Sequence, residues 1–342
     1  MIKVGIVGCG LIGDVHLKIL KSMKNIHVVG IADQDLKRAE SLASRGKVGV
    51  FAGDLKALLE LAKPEAVHIL TPPFTHASLT CAALQAGCHV YVEKPMALTT
   101  QEAQLMVATA FERKRLLTVG HNNLFSPVVR EACERVNDGY IGKLIGINVF
   151  HGSLPIHAPW IYRLPSGPWF NDVDHLLYLS RLFMGDADVV RAVGFSAVEK
   201  SRVDELHLAL RHSGGWSSLT YSTLAAPFQI RITLFGDRQT LELDLISEIM
   251  VALRPFDMHR WFRKGVMSVD VASQVLLRTG WQAIRVLAGC ERGHSGHRFL
   301  IEAFYRAINE GLPSPVSPDH CLRIVEIKEE IQHLLMEEPI SR

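Results

Sequence analysis

Ile2-Lys3-Val4-Gly5-Ile6-Val7-Gly8-Cys9-Gly10-Leu11-Ile12-Gly13 is the stretch that decides the fold of this chain. A run of strand-type residues enters a G-x-G-x-x-G loop, and a helical pattern, Leu11–Met23, leaves it. Gly8 permits a tight turn, Gly10 lets the main chain approach a pyrophosphate, and Gly13 allows the helix to pack closely on the strand. Leu11 and Ile12 complete the loop, and the helix N-terminus behind them offers free N–H groups and a positive dipole end to phosphates. Cys9 contributes its main chain to this loop rather than its thiol. Asp33 stands 20 residues beyond Gly13, at the end of a second strand. A carboxylate there accepts hydrogen bonds from ribose hydroxyls and repels a 2′-phosphate, so NAD is expected ahead of NADP. Lys37 and Arg38, just beyond, soften that preference.

Outward from this motif, short apolar runs alternate with helical patterns. The runs are Ile2–Val7, His27–Ala32, Ala66–Leu70, His89–Val92 and Leu116–Val119. The helical stretches are Leu11–Met23, Leu36–Ser44, Leu55–Ala62, Ala77–Ala86 and Glu102–Arg113, the last opened by a Thr99/Glu102 capping box. Strand–helix alternation implies a parallel sheet covered on both faces. After Gly120 the pattern changes. A helix at Val128–Asn137 gives way to strand-like segments at Ile145–Phe150, Ala187–Val198, His207–His212, Ser217–Leu224, Phe228–Phe235 and Thr240–Leu245, several joined by glycine turns. Helical patterns at Phe299–Glu310 and His320–Leu335 follow. The expected architecture is an α/β Rossmann domain, 1–120, and an α+β domain with a predominantly antiparallel sheet, 121–342. The last helices have the option of packing back on the first domain.

The 342 residues suit two domains, and 48% hydrophobic with 21% charged residues excludes a disordered or fibrous chain. Lys+Arg 37 against Asp+Glu 35 leaves +2, no electrostatic footprint for nucleic acid. Six scattered cysteines without CxxC or zinc spacing read as reduced thiols. With no signal-peptide pattern before Ile2 and no apolar run long enough to span a bilayer, a cytoplasmic protein is expected. One segment stands apart. Residues 254–292 carry seven Lys/Arg and three Asp/Glu, with apolar residues at helical spacing. They read either as a helical insertion packed on the protein or a partner subunit, or as a peripheral membrane contact.

Val90-Tyr91-Val92 runs into Glu93-Lys94-Pro95. Carboxyl ends of strands in a parallel sheet face the ligand crevice, and Pro95 holds Lys94 extended. The ammonium therefore projects beside the cofactor, where partial burial makes it a usable proton donor or acceptor.

These stretches resemble the glucose–fructose oxidoreductase / inositol dehydrogenase / rhizopine-catabolism (Gfo/Idh/MocA) family. The resemblance rests on the glycine loop, on Thr71-Pro72-Pro73-Phe74-Thr75-His76, on Ala86 to Pro95, and on Gly120-His121-Asn122-Asn123-Leu124-Phe125-Ser126-Pro127. It continues through Gly236 to Leu243 and Phe304 to Gly311, nearly the whole chain. It implies that Lys94 assists proton transfer at the substrate carbinol, and that Thr71, Pro72, His76, Glu93 and Asn122 border the cofactor. It also implies that His175 is the acid/base at the substrate hydroxyl, with Asn171 holding the sugar and Trp160 and Arg163 presented to it. The i, i+4 spacing puts Asn171 and His175 on one helix face. Asn171 stands where the family commonly has aspartate, Asp174 where glycine is usual, and Gly167-Pro168 where a glycine pair is. Those departures bear on substrate identity.

The resemblance implies an NAD(P)-dependent oxidoreductase moving a hydride between nicotinamide and a secondary alcohol of a sugar, cyclitol or nucleotide sugar. It further implies a homodimer or homotetramer formed through the open sheet face. Two alternatives stay open: an NAD-dependent glycosidase working through transient oxidation, and a non-catalytic NAD-binding regulator. A metal site from His151, His157, Asp172 and His175 has the residue types but no ligand spacing, and no metal is expected.

Overall fold

The computed structural model describes residues 1–153, 159–196, 203–257, 259–287 and 295–337. Its first elements are β1 (Ile2–Val7), α1 (Leu11–Ser22), β2 (Ile26–Ala32), α2 (Leu36–Gly46), β3 (Val50–Ala52), α3 (Leu55–Ala62), β4 (Ala66–Ile69), α4 (His76–Gln85), β5 (His89–Val92), α5 (Thr100–Arg113) and β6 (Leu117–Val119). Then come α6 (Pro127–Asn137), β7 (Leu144–Gly152), α7 (Trp169–Met184), β8 (Ala187–Phe195), β9 (Glu205–His212), β10 (Gly215–Ser222), β11 (Gln229–Gly236), β12 (Thr240–Asp244) and β13 (Ile249–Leu253). Three helices follow: α8 (Arg260–Leu287), α9 (Ser295–Glu310) and α10 (Pro318–Glu337). The chain divides into two compact units, residues 1–121 with 297–329, and residues 122–296 with 330–342.

The first unit is built on a six-stranded sheet ordered β3-β2-β1-β4-β5-β6, every pair parallel. β4 is buried at all four positions and β1 at five of six, the continuous apolar run demanded of a strand covered on both faces. The order reverses between β1 and β4, so the loops after β1, β4 and β5 open at a topological switch point. Those loops carry Gly8–Gly13, Thr71–His76 and Lys94. Thr99 caps α5 through the Glu102 N–H at 3.2 Å, and the Glu102 carboxylate answers on the Leu98 N–H, one residue earlier than a standard capping box. Residues 297–329 are tied into this unit by polar contacts. The Thr100 N–H and hydroxyl both donate to the Glu329 carboxylate at 2.6 Å, and the Ser314 hydroxyl donates to the Leu117 carbonyl at 2.8 Å.

The second unit is a seven-stranded sheet ordered β13-β12-β11-β7-β10-β9-β8. It is antiparallel except for β7–β10, which pair in parallel. β7 therefore lies between two strands distant from it in sequence, a non-local arrangement absent from a simple meander. Helix α7 packs on β7, β9 and β10 with Trp169, Phe170, Val173 and Leu176 buried. β9 alternates buried and exposed residues along its length, the pattern of a sheet with one packed face. Gly146 is required by Trp216 on the neighbouring strand, because a Cβ there would sit 2.4 Å from the indole ring.

Candidate functional site

The glycine loop has the shape its sequence demands. Gly8 has φ +104, and a Cβ on it would lie 2.6 Å from the Leu70 carbonyl group. A Cβ on Gly13 would lie 2.4 Å from the Gly8 carbonyl oxygen. Gly10 differs from both, with nothing within 4 Å of a Cβ position. It is the N-cap of α1 and supplies no side-chain hydrogen bond, so the first N–H groups of that helix are left for a ligand. A closed turn beneath, an open main chain above and an uncapped helix N-terminus together form a cradle that fits a dinucleotide pyrophosphate.

Asp33 holds this loop in place. Its Oδ2 accepts the Cys9 N–H at 2.7 Å and its Oδ1 accepts the Asp35 N–H at 2.9 Å. Burial, the Asp33 charge and a hydrogen bond to Asp33 push the Cys9 thiol up to about 12, so it stays protonated. Asp33→Asn should therefore weaken NAD binding by about tenfold or more, the scale of one charged hydrogen bond. Isothermal calorimetry checks it.

The Glu-Lys-Pro loop and the Thr71 loop are stapled by His76. This ring is fully buried, with Nδ1 2.8 Å from the Pro95 carbonyl and Nε2 2.7 Å from the Thr71 carbonyl. Burial lowers its pKa against the pull of both carbonyls. Both ring nitrogens are therefore taken up by main-chain oxygens of the two loops. The Thr71 hydroxyl pairs with that of Thr75 at 2.7 Å, and Pro72 precedes a short turn, Pro73–Thr75.

The Glu93 carboxylate is buried in the core of the first unit. Oε2 accepts the Lys94 N–H at 3.2 Å, and Oε1 lies 3.4 Å from His16 Nε2. Gly120 leaves room for it, since a Cβ there would meet the carboxylate at 2.7–2.9 Å. Burial alone would raise the Glu93 pKa. The His16 hydrogen bond and the charges of His16, His297 and Lys94 reverse this and hold it below the ordinary carboxylate value.

Behind Glu93 a chain of rings crosses the unit. His16 Nδ1 is 2.8 Å from His68 Nδ1, and His68 Nε2 is 2.7 Å from the Tyr305 hydroxyl. His68 lies nearly parallel to Tyr91, centroids 4.9 Å apart. Tyr305→Phe would leave the buried His68 Nε2 without its hydrogen-bond partner. The expected cost is about 1–3 kcal/mol in urea denaturation.

Several imidazoles in this unit are held neutral. Burial drives His68 and His121 well below 6.5, assisted by His16 for the first and by His320, Lys328 and Lys94 for the second. Burial and Arg115 lower His89 to about 4. In the unfolded chain these groups titrate near 6.5, so at lower pH the unfolded state takes up protons that the native state refuses. Their contribution is complete above about pH 6.5 and is lost progressively below it. The thermal midpoint should therefore be nearly flat above neutrality and decline steadily on acidification, as followed by circular dichroism.

In the second unit the candidate residues gather on α7. The His175 Nδ1 lies 2.5 Å from the Tyr178 hydroxyl and 3.3 Å from the Asn123 amide nitrogen, and the Asn123 N–H donates to the Tyr178 hydroxyl at 3.4 Å. The His151 ring stands 5.2 Å from that of His175 and 5.8 Å from that of Tyr221. Burial, followed by the Asp172 charge, raises the Tyr221 pKa and keeps the phenol protonated. Asn171 is half-buried and donates to the Asp172 carboxylate at 2.8 Å. The Asn122 amide likewise donates to Asn123 at 3.0 Å. Trp160 is half-buried at the start of a short turn, Ile161–Arg163, and Arg163 is exposed. His157 lies outside the described residues. Among the described residues no three His, Cys, Asp or Glu side chains are grouped to hold a metal.

Sequence reasoning missed Asn123, Tyr178 and Tyr221. Tyr178 had a signal, its i, i+3 spacing from His175 on one helix face.

Residues 2–121 match the oxidoreductase family with an NAD-binding Rossmann fold (Gfo/Idh/MocA), and residues 129–242 match the Gfo/Idh/MocA C-terminal domain. The UDP-N-acetylglucosamine 3-dehydrogenase of Acidithiobacillus ferrooxidans is 32% identical over 257 residues, 72% of this chain and 75% of that one. The D-glucoside 3-dehydrogenase of Escherichia coli is 32% identical over a shorter stretch, 42% of this chain and 41% of that protein. In fold, the WlbA dehydrogenase from Bordetella pertussis, solved with NADH and UDP-GlcNAcA, superposes with a TM-score of 0.82 at 18% identity, covering 99% and 98% of the two chains. The cradle after β1, the Glu-Lys-Pro strand end and matches to both domains agree: this chain belongs to the Gfo/Idh/MocA oxidoreductase family.

Proposed function

We propose that this enzyme is an NAD-dependent dehydrogenase acting on a secondary alcohol of a sugar, cyclitol or nucleotide-linked sugar. The observation that carries the reading is the pairing of an open glycine cradle with a lysine at the next strand end but one. Gly10 and the uncapped start of α1 would hold the pyrophosphate, and Asp33 the adenosine ribose. When bound, NAD supplies a hydride acceptor at its nicotinamide.

Oxidation of the alcohol breaks its C–H bond, the electron pair leaving with the hydrogen, and its O–H bond, the proton going to the protein. Lys94 is the base we assign to that proton, with the buried Glu93 charge behind its main chain orienting the loop. His175 is the second acid/base, oriented by Tyr178 and Asn123. Asn171, Trp160 and Arg163 are assigned to the substrate. The aromatic face suits a pyranose, and the guanidinium suits carboxylate or phosphate oxygens. Self-association as a homodimer or homotetramer is assigned to the outward sheet face, where Phe195 and Trp216 are exposed.

The test is a panel of sugars, inositols and UDP-sugars with NAD or NADP, followed at the NADH absorbance band. Turnover with NAD on at least one class supports the reading. Cleavage of a glycoside without net NADH would replace it with the transient-oxidation chemistry.

A further inference from the structure

Helix α8 is mounted with its polar side inward. Gln274 accepts the Ala252 N–H at 2.9 Å and donates to the Ala252 carbonyl at 3.0 Å, pairing with the outer strand β13 as a further strand would. Arg278 grips the Glu131 carboxylate of α6 with two hydrogen bonds, 2.8 and 3.0 Å, and Asp270 lies 3.6 Å from Arg254. These three residues sit four apart, on one line of the helix. No α8 side chain whose burial is described is buried.

The apolar residues face elsewhere. Phe262, Val269 and Leu276 recur every seven residues, as do Leu277 and Ile284, and Leu287 closes the same stripe. These six are between 57% and 88% exposed, and Trp281 beside them is 65% exposed. An apolar stripe of seven to eight helical turns, turned away from its own domain, calls for an external cover.

Charge decides what that cover is. Over its 28 residues α8 carries five Lys/Arg and one Asp; the Asp faces Arg254 and Arg278 is paired with Glu131, which leaves four basic residues and no acidic one. A second copy laid along it would bring a helix of the same +4 charge, with no acidic residue to answer it. An anionic lipid surface complements that net positive charge and takes the apolar stripe into the acyl boundary. No helix among the described residues is long and apolar enough to cross a membrane, so the contact is in the plane of the interface.

We propose that α8 is a peripheral membrane anchor that binds anionic bilayers. Sedimentation of the full chain with vesicles tests this, using pure phosphatidylcholine against phosphatidylcholine containing one third phosphatidylglycerol. The bound fraction should be at least tenfold greater on the anionic vesicles and should be released by high salt. Leu276→Glu with Ile284→Glu should abolish binding while leaving the thermal midpoint unchanged, because neither side chain packs on the domain. Absence of pelleting with anionic vesicles at low salt overturns the proposal. So does a concentration-dependent dimer, seen by light scattering, that the double variant dissolves, since the stripe would then belong to a second copy.

Discussion

Replacing Lys94 by methionine should lower kcat by about 10²–10⁴-fold, the range supplied by one positioned acid–base group. The affinity for NAD should change little. Lys94 follows β5, where the parallel sheet opens its carboxyl ends, and it is half-buried with its charge felt by His121 and Glu93. Methionine keeps the length and the apolar stem and removes only the charge and the exchangeable proton. Steady-state rates with the best substrate, paired with calorimetric titration of NAD, separate the two effects. A fall in NAD affinity with unchanged kcat would make Lys94 a binding residue instead.

Gly10→Val should raise the dissociation constant for NAD by roughly 100-fold or more, equivalent to about 2.7 kcal/mol, and leave the thermal midpoint unaltered. The other two loop glycines cannot serve this test. At Gly8 and Gly13 an added Cβ strikes backbone at 2.6 and 2.4 Å, so the fold itself would suffer. At Gly10 there is open space, and φ −75 with ψ −167 is extended backbone that valine adopts readily. A valine there fills only the volume through which a pyrophosphate reaches the helix N-terminus. Unchanged NAD binding in a folded G10V protein would remove the cradle from the account.

Most of the first unit was legible because its signals are local. β1 and β5 match their apolar runs, and α3 its helical pattern, residue for residue. β3 was not, since Val50–Ala52 is three residues long with no periodicity to read. β13 was missed for a related reason. Its apolar run, Ile249–Leu253, adjoins the segment that was set apart as helical from Arg254 onward. The parallel β7–β10 pair joins strands more than sixty residues apart, a choice made by tertiary packing rather than by turn residues.

The candidate site divides in the same way. Gly8, Asp33 and Lys94 follow strand ends, and Gly10 and Gly13 stand at the start of α1, positions the local sequence dictates. His76 and Glu93 lie in the same loops, yet both turn inward to backbone and imidazole partners that only the folded sheet brings near. One residue offered a hint, His68, a lone polar side chain in the otherwise apolar β4. Such a group survives only if the core satisfies it, as His16 and Tyr305 do.

The central claim is a dinucleotide site at the carboxyl edge of the six-stranded sheet. Calorimetric titration of the purified protein with NAD and with NADP, after any retained nucleotide has been released and assayed, tests it most directly. One site per chain, tighter for NAD than for NADP and lost in G10V, is the result this account predicts. A protein that carries no nucleotide and binds neither would contradict it.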